Sequence, residues 1–554
     1  MPNPPPEPGA DETETPKPWV SQKTAIVVFS SLAIALYGYD QGMMSMVNTN
    51  YSYLSTMGIE DTSILLGVIV AIYYIGCTFG AIVASHFADS RGRKWAVVMC
   101  LFASIFGNLL MFIPGIYPIK EDDTWKGWSL RLMLIGRFVL GLGVGGIDAV
   151  IPVYSSELSK DGARGSALAK EFQANIFGLL LAFALNLFLT IGLGKNNQWA
   201  WRIPIIFMQI FPWLLLSIVR SLPESPRWLI SHERLDGALD ALTGLHGQDQ
   251  AEEMFEQLHR ANEEEEQDKL GYYEMFFGSQ SHPTAITVMG QINQALTGYG
   301  AVSVYGPQIF ELLGLKVRIA EYATLGNYIF YTGMMTVAWK TIDVVGRRKL
   351  MLWGSLGLAV CFGLLTILGG ISVDIFRKPQ LPVEIIGSII LCVSTAIFGV
   401  SWLTTVWLIP TEIYPNSARA QGSSISVIIW GLANFAITFL TPIGFNNLKY
   451  WLFLVFAVTN TIAGLLTWRY SPETGGRSFE ENQQFFISAR EKGRFAVKNV
   501  DGGKYLRMPQ REDTPQNLEE GDQDEGEDAE GENAKGENTR SALNERTPLL
   551  LSWW

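Results

Sequence analysis

The sequence contains about twelve apolar stretches, each close to 20 residues long, separated by more polar segments. A helix of about 20 apolar residues crosses the hydrocarbon core of a bilayer. The chain is 48% hydrophobic in spite of a long polar tail, which favours the same interpretation. We therefore predict an all-α membrane protein with twelve transmembrane helices, at 24 to 47, 62 to 85, 95 to 116, 131 to 154, 166 to 191, 201 to 220, 284 to 306, 321 to 342, 349 to 371, 384 to 408, 423 to 441 and 449 to 469.

Charges around these stretches predict the orientation of the chain. The lead "MPNPPPEPGADETETPKPW" has neither a basic n-region nor a cleavage site, so we expect no cleaved signal peptide and a cytosolic N-terminus. Counted from there, the basic segments 90 to 94 and 345 to 349 lie in cytoplasmic loops, as the positive-inside rule requires. Both termini are expected in the cytosol.

Composition argues against several other functions. Much of the net charge of -12 lies in the acidic low-complexity run 517 to 538, which we predict to be disordered and solvated. The four cysteines fall in apolar spans and the five histidines lack metal-ligand spacing. No phosphate-binding G-x-x-x-x-G-K-[ST] loop occurs. We expect no enzyme, no bound cofactor or metal, and no nucleic-acid partner.

The chain repeats itself. "DSRGRK" begins at Asp89 and "DVVGRRK" at Asp343, each after the second span of its half. Glu157 precedes Arg164 by seven residues and Glu412 precedes Arg419 by the same seven, and "PESPR" and "PETGGR" close the sixth and twelfth spans. Two parallel six-helix halves around a midplane cavity are typical of transporters that rock one half against the other.

Charged residues at the cytoplasmic ends of both halves are candidates for an inner gate of ion pairs that form only when the inner side is closed. The alternative is that they merely anchor the helices by the positive-inside rule. The equal spacing in both halves favours a gate. The candidates are Asp89, Arg93, Glu157 and Arg164 in the first half and Asp343, Arg347, Glu412 and Arg419 in the second.

The predicted organisation has five parts. Between the halves, "ERLDGALDALTGL" places Leu235, Leu239 and Leu242 on one helical stripe and predicts short helices beneath the bundle. The predicted parts are a disordered N-terminus at 1 to 23, the first half at 24 to 220, a cytoplasmic helical linker at 221 to 282, the second half at 283 to 470 and a largely disordered tail at 471 to 554.

Several motifs together resemble one family. They are "GRFVLGLGVGG", "PVYSSELS", "PESPRWL", "DVVGRRK", "PTEIYPNSARAQG" and "PETGG". In this order the set resembles the sugar porter branch of the major facilitator superfamily, particularly its fungal members, over about residues 24 to 482. The first motif of that family usually opens with Gly, where this chain has Ser85 and Trp339.

The resemblance also accounts for Asp40, a carboxylate within the first apolar span. An isolated charge there should cost roughly 2.5 to 3.5 kcal/mol unless it is paired or faces water. In proton-coupled members of the family an Asp of the first helix faces an Arg of the fourth, and the matching residues are Asp40 and Arg137. The resemblance implies symport of a proton with a sugar or polyol. A static ion pair in a uniporter is the alternative.

The substrate contacts implied by the resemblance are partly changed. In the seventh helix Gln294 is present, but Ala295 and Gly300 replace an expected Gln and Asn, and in the fifth helix Phe172 replaces a Gln. Neighbouring polar residues and two later positions complete the predicted substrate site, which is not that of an ordinary hexose carrier. These further residues are Gln173, Gln291, Trp407 and Asn434.

Three more charged residues interrupt apolar spans: Asp148, Lys170 and Glu171. Intramembrane charges are functional candidates by default, although Lys170 and Glu171 could also lie at the cytoplasmic mouth. The changed contacts leave room for an oligosaccharide, a polyol or an organic acid such as quinate, with which Lys170 could pair. A non-transporting sugar sensor is the alternative from another class.

Two short sequence motifs predict a glycosylation site and a membrane-sorting signal. "NYS" at Asn50 is a glycosylation sequon that the topology places outside. In the tail, Glu545, Leu549 and Leu550 match an acidic dileucine pattern of the kind that sorting adaptors read. We predict a monomer in contact with membrane lipid, in the plasma membrane or a vacuolar or endosomal membrane.

Overall fold

The computed structural model describes residues 22–60, 63–116, 123–158, 164–266, 271–372 and 381–509. The described residues form helices and connecting turns. In the first half the helices are α1 (Gln22–Val47), α2 (Tyr51–Met57), α3 (Ile64–Arg91), α4 (Arg93–Phe112), α5 (Asp123–Leu158), α6 (Arg164–Leu193), α7 (Gln198–Phe207) and α8 (Ile210–Val219).

The linker and the second half continue the helical pattern. The linker contains α9 (Pro226–Ser231), α10 (Leu235–His246), α11 (Gln248–Glu266) and α12 (Tyr272–Phe277). The second half contains α13 (Ser281–Leu296), α14 (Tyr299–Val304), α15 (Gly306–Leu312), α16 (Val317–Val345), α17 (Arg347–Gly370), α18 (Leu381–Phe398), a π-helical turn (Gly399–Leu403), α19 (Thr404–Ile413), α20 (Asn416–Asn447) and α21 (Trp451–Tyr470). After it come α22 (Phe479–Glu491) and two 3₁₀ turns, Val497–Asn499 and Asp501–Leu506.

Within the described ranges, nine helical segments are long and apolar enough to cross a membrane. The other three predicted spans are helical but do not meet the same standard of length and hydropathy. They are α1, the interrupted segment α13 to α15, and α16. Each carries polar side chains that are buried in the protein, so their lower hydropathy reflects interior rather than lipid-facing positions.

Two spans expected to be continuous are broken. The sixth divides between α7 and α8, where Pro212 has no N–H to donate to the carbonyl of Met208 one turn earlier. The seventh divides at Gly298, whose φ of +84° suits a residue without a side chain, and again before Pro307. Broken helices at membrane depth are tolerated where protein surrounds them.

Small residues bring the helices of the first half into close contact. A Cβ added at Gly145 of α5 would collide with the Cα of Cys77 on α3, and one at Gly42 of α1 would collide with the Leu179 carbonyl on α6. Close backbone approach of this kind is how membrane helices gain packing energy without a hydrophobic driving force. The two halves meet where α3 packs on α20 and α6 packs on α16.

The linker helices pack on one another through a smaller apolar cluster. The stripe predicted for α10 is partly wrong, since Leu242 is buried but Leu235 and Leu239 are exposed. Ala238 and Ala241 take the buried positions instead, because α10 packs on α9 through small side chains next to Trp228.

Candidate functional site

A buried ion pair lies in the first half, between α1 and α5. Arg137 Nη1 donates to Asp40 Oδ1 at 2.5 Å, and both residues are 1% exposed. Arg137 also donates through Nε to the Ile69 carbonyl at 3.3 Å, and its guanidinium lies 4.6 Å from the centre of the Tyr73 ring. The structure therefore places the two predicted coupling residues in direct contact.

This geometry allows the carboxyl of Asp40 to exist in two states. As a carboxylate it is compensated by Arg137, and breaking a buried pair by removing one partner typically costs about 3 to 5 kcal/mol. When the acid binds a proton, the α3 carbonyls and the Tyr73 ring still hold the guanidinium. The arrangement can thus bind and release a proton without dismantling the helix contact.

A pocket between the two halves lies next to this pair. Tyr37 and Gln41, which flank Asp40 on α1, both line it. The lining residues of the described chain are Tyr37, Gln41, Phe172, Asn175, Gln294, Ala295, Tyr299, Gly300, Phe398, Leu403, Trp407, Trp430 and Asn434. Six of these thirteen side chains are aromatic and none is charged at neutral pH, so the pocket suits an uncharged molecule that can stack on aromatic rings.

Three of the five predicted substrate residues line this pocket, namely Gln294, Trp407 and Asn434. The other two lie outside it. Gln173 donates to the Thr332 carbonyl and to Thr336 Oγ1 on α16, across the two halves. Gln291 donates to Ser426 Oγ at 2.5 Å and is fully buried.

Gln294 offers a free acceptor to a bound molecule. Its amide nitrogen donates to the Trp402 and Leu403 carbonyls at 3.3 and 3.2 Å. These contacts fix the orientation of the amide and leave its Oε1 buried without a hydrogen-bond partner. A buried acceptor without a partner costs about 1 to 3 kcal/mol, which a hydroxyl donor from a substrate would recover.

The three substrate-contact positions that depart from the family pattern, Phe172, Ala295 and Gly300, all line the pocket. Phe172 packs on Trp407 at 5.8 Å between ring centres, so this wall is apolar. Gly300 lies beside Asn434, whose Oδ1 would be 2.8 Å from a Cβ at position 300. Ala295 contributes a small apolar surface. The pocket therefore offers fewer polar groups than the family pattern implies.

Sequence reasoning missed several lining residues, among them Tyr37, Gln41, Asn175 and Trp430. Tyr37 packs edge-on against Trp430 of α20 at 5.2 Å, and Gln41 donates to the hydroxyl of Tyr37. Helical spacing from Asp40 and Phe172 could have indicated Tyr37 and Asn175, because residues three or four apart share a helix face. Nothing local in the sequence points to Trp430.

At the end of the bundle that carries Arg93 and Arg347, called the inner end below, each half has an ion-pair network. In the first half Arg93 bonds Glu157 at 3.2 Å and Asp89 at 3.0 Å. In the second half Arg347 bonds Glu412 at 2.7 Å and Asp343 at 3.0 Å. The equivalent contacts in both halves match the sequence repeat.

The predicted arginines Arg164 and Arg419 differ from this pattern. The side chain of Arg164 lies outside the described residues. The guanidinium of Arg419 lies 5.3 Å from the centre of the Phe479 ring on α22. The described arginine partners of Glu157 and Glu412 are thus Arg93 and Arg347, at the start of the following helices α4 and α17.

The halves touch at the inner end through hydrogen bonds and a cation–ring contact around these networks. The backbone N–H of Ser166, in the first turn of α6, donates to Asp343 Oδ2 at 3.0 Å, which places a carboxylate at a helix N-terminus. Ser85 Oγ lies 2.5 Å from Ser424 Oγ, and Lys170 Nζ lies 5.0 Å from the centre of the Trp339 ring. Both departures from the first family motif, Ser85 and Trp339, therefore contact the opposite half.

Sequence reasoning also missed two glutamates that hold the networks in place, the half-buried Glu224 and the fully buried Glu473. Glu224 accepts the backbone N–H of Arg93 at 3.0 Å, and Glu473 accepts that of Arg347 at 2.8 Å. Burial raises the pKa of the Glu473 carboxyl, although the N–H groups of Gly475 and Arg347 act in the opposite direction. The repeated "PE" of "PESPR" and "PETGG" was the available signal.

The opposite end of the bundle, called the outer end, also carries a contact between the halves. Glu321 of α16 is fully buried and pairs with Lys195, which follows α6, at 2.5 Å and with Arg318 at 3.0 Å. Ser45 Oγ lies 3.3 Å from the hydroxyl of Tyr328. Contacts between the halves therefore lie on both sides of the pocket.

The predicted glycosylation site lies within the described residues, whereas the predicted sorting signal does not. Asn50 is 2% exposed and is the N-cap residue immediately before α2, where its Oδ1 accepts the N–H of Tyr53 at 3.0 Å. Glycosylation there stays a prediction, and because the glycan would bond to the side-chain nitrogen, it would require this buried side chain to become accessible. Glu545, Leu549 and Leu550 lie outside the described residues.

The fold is that of the major facilitator superfamily. The chain is similar to the crystallised proton:xylose symporter XylE of Escherichia coli bound to 6-bromo-6-deoxy-D-glucose, with a TM-score of 0.71 at 24% identity. The match covers 84% of this chain and 99% of that one. With nine helical segments in its described ranges that are long and apolar enough to cross a membrane, the chain has the architecture of a multi-pass membrane protein whose two halves enclose one cavity.

The chain belongs to the Sugar (and other) transporter family, whose model matches residues 25–486. It is 29% identical to the MFS-type transporter oryC of Aspergillus oryzae, covering 84% of this chain and 85% of that protein. It is also 29% identical to the sugar transporter STL1 of Saccharomyces cerevisiae, covering 84% and 82%. The D-xylose-proton symporter of Escherichia coli is 27% identical, covering 82% and 94%.

Proposed function

We propose that this protein is a secondary active transporter that carries a sugar or related polyol together with a proton by alternating access. The observation that carries the proposal is the buried pair of Asp40 and Arg137 beside a pocket shared by both halves. Similarity to proteins named as sugar transporters and as a D-xylose-proton symporter supports it.

The coupling follows from the cost of a buried charge. With the outer side open, a proton binds Asp40 and substrate enters the pocket. Tyr37 and Gln41 line the pocket from the same helix as Asp40, so a change at the acid is passed directly to the substrate site. When the inner side opens, the proton leaves and the ion pair with Arg137 forms again. The proton gradient thereby drives uptake of the solute.

The pocket favours a neutral substrate over an organic acid. Its described lining contains no lysine, arginine or histidine. Lys170, the residue considered as a partner for an acid, is exposed and lies against Trp339 outside the lining. Bringing a carboxylate into an uncharged pocket would leave it without compensation, which is costly in a desolvated site.

The test is uptake by cells that lack their own sugar and polyol carriers. A panel of labelled D-xylose, D-glucose, myo-inositol and linear polyols should identify at least one solute whose accumulation rises when the outside is acidified. Saturable uptake that only equilibrates and ignores the pH step would indicate a uniporter. No uptake of any panel member by protein that reaches the surface would contradict sugar or polyol transport.

The apolar side of the pocket formed by Phe172 and Trp407 leads to a prediction about substrate specificity. Replacing Phe172 with Gln should restore a polar group next to Trp407 and raise the relative uptake of the more hydroxylated solutes. One added hydrogen bond is worth about 0.5 to 1.5 kcal/mol, so preference ratios should change roughly twofold to tenfold. Competition between labelled glucose and an unlabelled panel measures this. Phe188→Gln, on the same helix but 73% exposed, is the matched control. An unchanged competition profile in Phe172→Gln would contradict a role of Phe172 in substrate specificity.

We also propose that the dileucine pattern of the tail directs the protein to internal membranes. Two adjacent leucines would fill an apolar pocket of an adaptor while Glu545 meets a basic one. Changing Leu549 and Leu550 to Ala should move a fluorescent fusion to the cell surface without altering transport per molecule. Leu551→Ala, which leaves the pattern intact, is the control. Equal distributions of parent and double variant would contradict the signal.

A further inference from the structure

A second carboxylate, Asp148, lies within the first half and has no part in the ion pair described above. It is 7% exposed, and no described side chain forms a hydrogen bond or an ion pair with it. An ionised carboxylate in that position would carry a cost of several kcal/mol. Asp148 is thus expected to hold a proton for at least part of the transport cycle.

The register of α5 places Asp148 on the path from the ion pair to the inner end. It follows Arg137 by eleven residues, which is about three turns and roughly 16 Å along the helix, within about 20° of the same face. Glu157, part of the inner-end network, lies further along the same helix. Asp148 therefore lies between Arg137 and the inner-end network along α5.

The surroundings of Asp148 connect it to the pocket and to Arg137. It interacts electrostatically with Tyr37, which lines the pocket, and with Tyr73, whose ring lies under Arg137. The titratable groups on the helices packed around this part of α5 include Tyr37 and Asp40 of α1, Tyr73, Tyr74 and Cys77 of α3 and Cys100 of α4, with Asp89 of α3 and Arg93 of α4 nearer the inner end. Of the basic side chains on these helices and on α20, Arg93 pairs with Glu157 and Asp89, and Arg419 lies against Phe479, in both cases at the inner end.

Another buried carboxylate continues the same path. Glu171 of α6 is 6% exposed and accepts a hydrogen bond from Ser155 Oγ at 3.1 Å. It immediately precedes the pocket residue Phe172 in sequence, and Ser155 lies two turns beyond Asp148 on α5. Acidic side chains thus follow one another from the middle of the first half towards the inner end.

We propose that Asp148 is a second proton-binding site, which takes the proton released by Asp40 and passes it towards the inner end. The proposal rests on the proton coupling proposed above. In the transfer an O–H bond breaks at Asp40 and one forms at Asp148, through the Tyr37 hydroxyl or through water admitted as the inner side opens. Asp40 returns to its ion pair with Arg137, and no electrons are transferred.

The first test detects the proton directly and needs no substrate. Infrared difference spectra of the purified full-length protein in lipid, recorded between acidic and alkaline pH, should contain C=O bands of protonated carboxyl groups. Asp148→Asn should remove one band, and Asp40→Asn should remove a different one. Asp236→Asn, on the exposed face of a linker helix, is the matched control. Spectra of Asp148→Asn that match the parent would overturn the proposal.

The second test separates a proton relay from a structural role. In proteoliposomes with a solute identified by the uptake panel, Asp148→Asn should slow pH-driven accumulation at least tenfold while equilibrium exchange continues, and Asp148→Glu should restore accumulation. Unchanged accumulation in Asp148→Asn, or equal loss of both activities that Asp148→Glu does not restore, would contradict the relay. If Asp40→Asn also accumulates normally, the proposed symport fails, and the infrared result still decides whether Asp148 binds a proton.

Discussion

Asp40→Asn is expected to abolish accumulation of the solute against its gradient while leaving exchange of solute across the membrane. Asn keeps the shape of the side chain and a hydrogen-bond acceptor for Arg137, but it cannot take up a proton. One proton moving down 100 mV and one pH unit supplies about 3.7 kcal/mol, enough for an accumulation of several hundredfold. In the variant the accumulation ratio should fall to one.

The measurement compares uphill uptake with counterflow in proteoliposomes. Asp236→Asn, at an exposed position on α10, controls for the loss of one acidic group. In Asp40→Asn, Arg137 would keep its charge without its partner, so the thermal stability of that variant in detergent is measured as a control for folding. Full pH-driven accumulation in Asp40→Asn would contradict the assignment of Asp40 to proton coupling. A parent protein that exchanges solute and never accumulates it would favour the uniporter.

Arg347→Ala is expected to shift the protein towards the inward-open state. Arg347 holds Glu412 and Asp343, and Asp343 in turn accepts the N–H of Ser166 from the other half. We expect these contacts to stabilise the inward-closed arrangement, so losing them should favour opening. A charged hydrogen bond is worth about 1.5 to 3 kcal/mol, which corresponds to a factor of ten or more in the population ratio.

A cysteine introduced at Ala420, which lines a cavity beside Asp89 and Arg93, can report opening through its reaction with a polar thiol reagent. Labelling should rise in Arg347→Ala and also, to a smaller extent, in Asp343→Asn, which keeps the ion pair of Arg347 with Glu412. Glu321→Gln is the control of opposite sign, because it removes the pairing between Lys195 and α16 at the outer end. Equal labelling in all these variants would argue for simple positive-inside anchors.

Much of the architecture could be predicted because it depends on properties that a single segment carries. Apolar length indicates a span whatever its neighbours, and the repeated spacing of Asp89 and Asp343 indicates two equivalent halves. The family motifs carried the prediction further, to the contact of Asp40 with Arg137, since the motif positions identify which two helices face each other.

The substrate site was less predictable because its surface comes from both halves. Gln173 and Gln291 lie close in sequence to lining residues, yet each faces another helix rather than the pocket. A rotation of about 100° separates neighbouring residues on a helix, so Phe172 lines the pocket while Gln173 contacts α16. Which face meets the cavity depends on how α6 packs.

The sequence alone determined the class of protein, its two-fold repeat and the need for a partner to Asp40, because bilayer thickness and the cost of a buried charge act on every segment alike. The tertiary structure alone decided that Arg93 and Arg347 hold Glu157 and Glu412. It also decided that Phe172, Ala295 and Gly300 meet in one pocket, and that Lys195 reaches Glu321 across the halves. Those contacts join residues far apart in the chain, and their geometry is set by helix rotation and packing that no local pattern encodes.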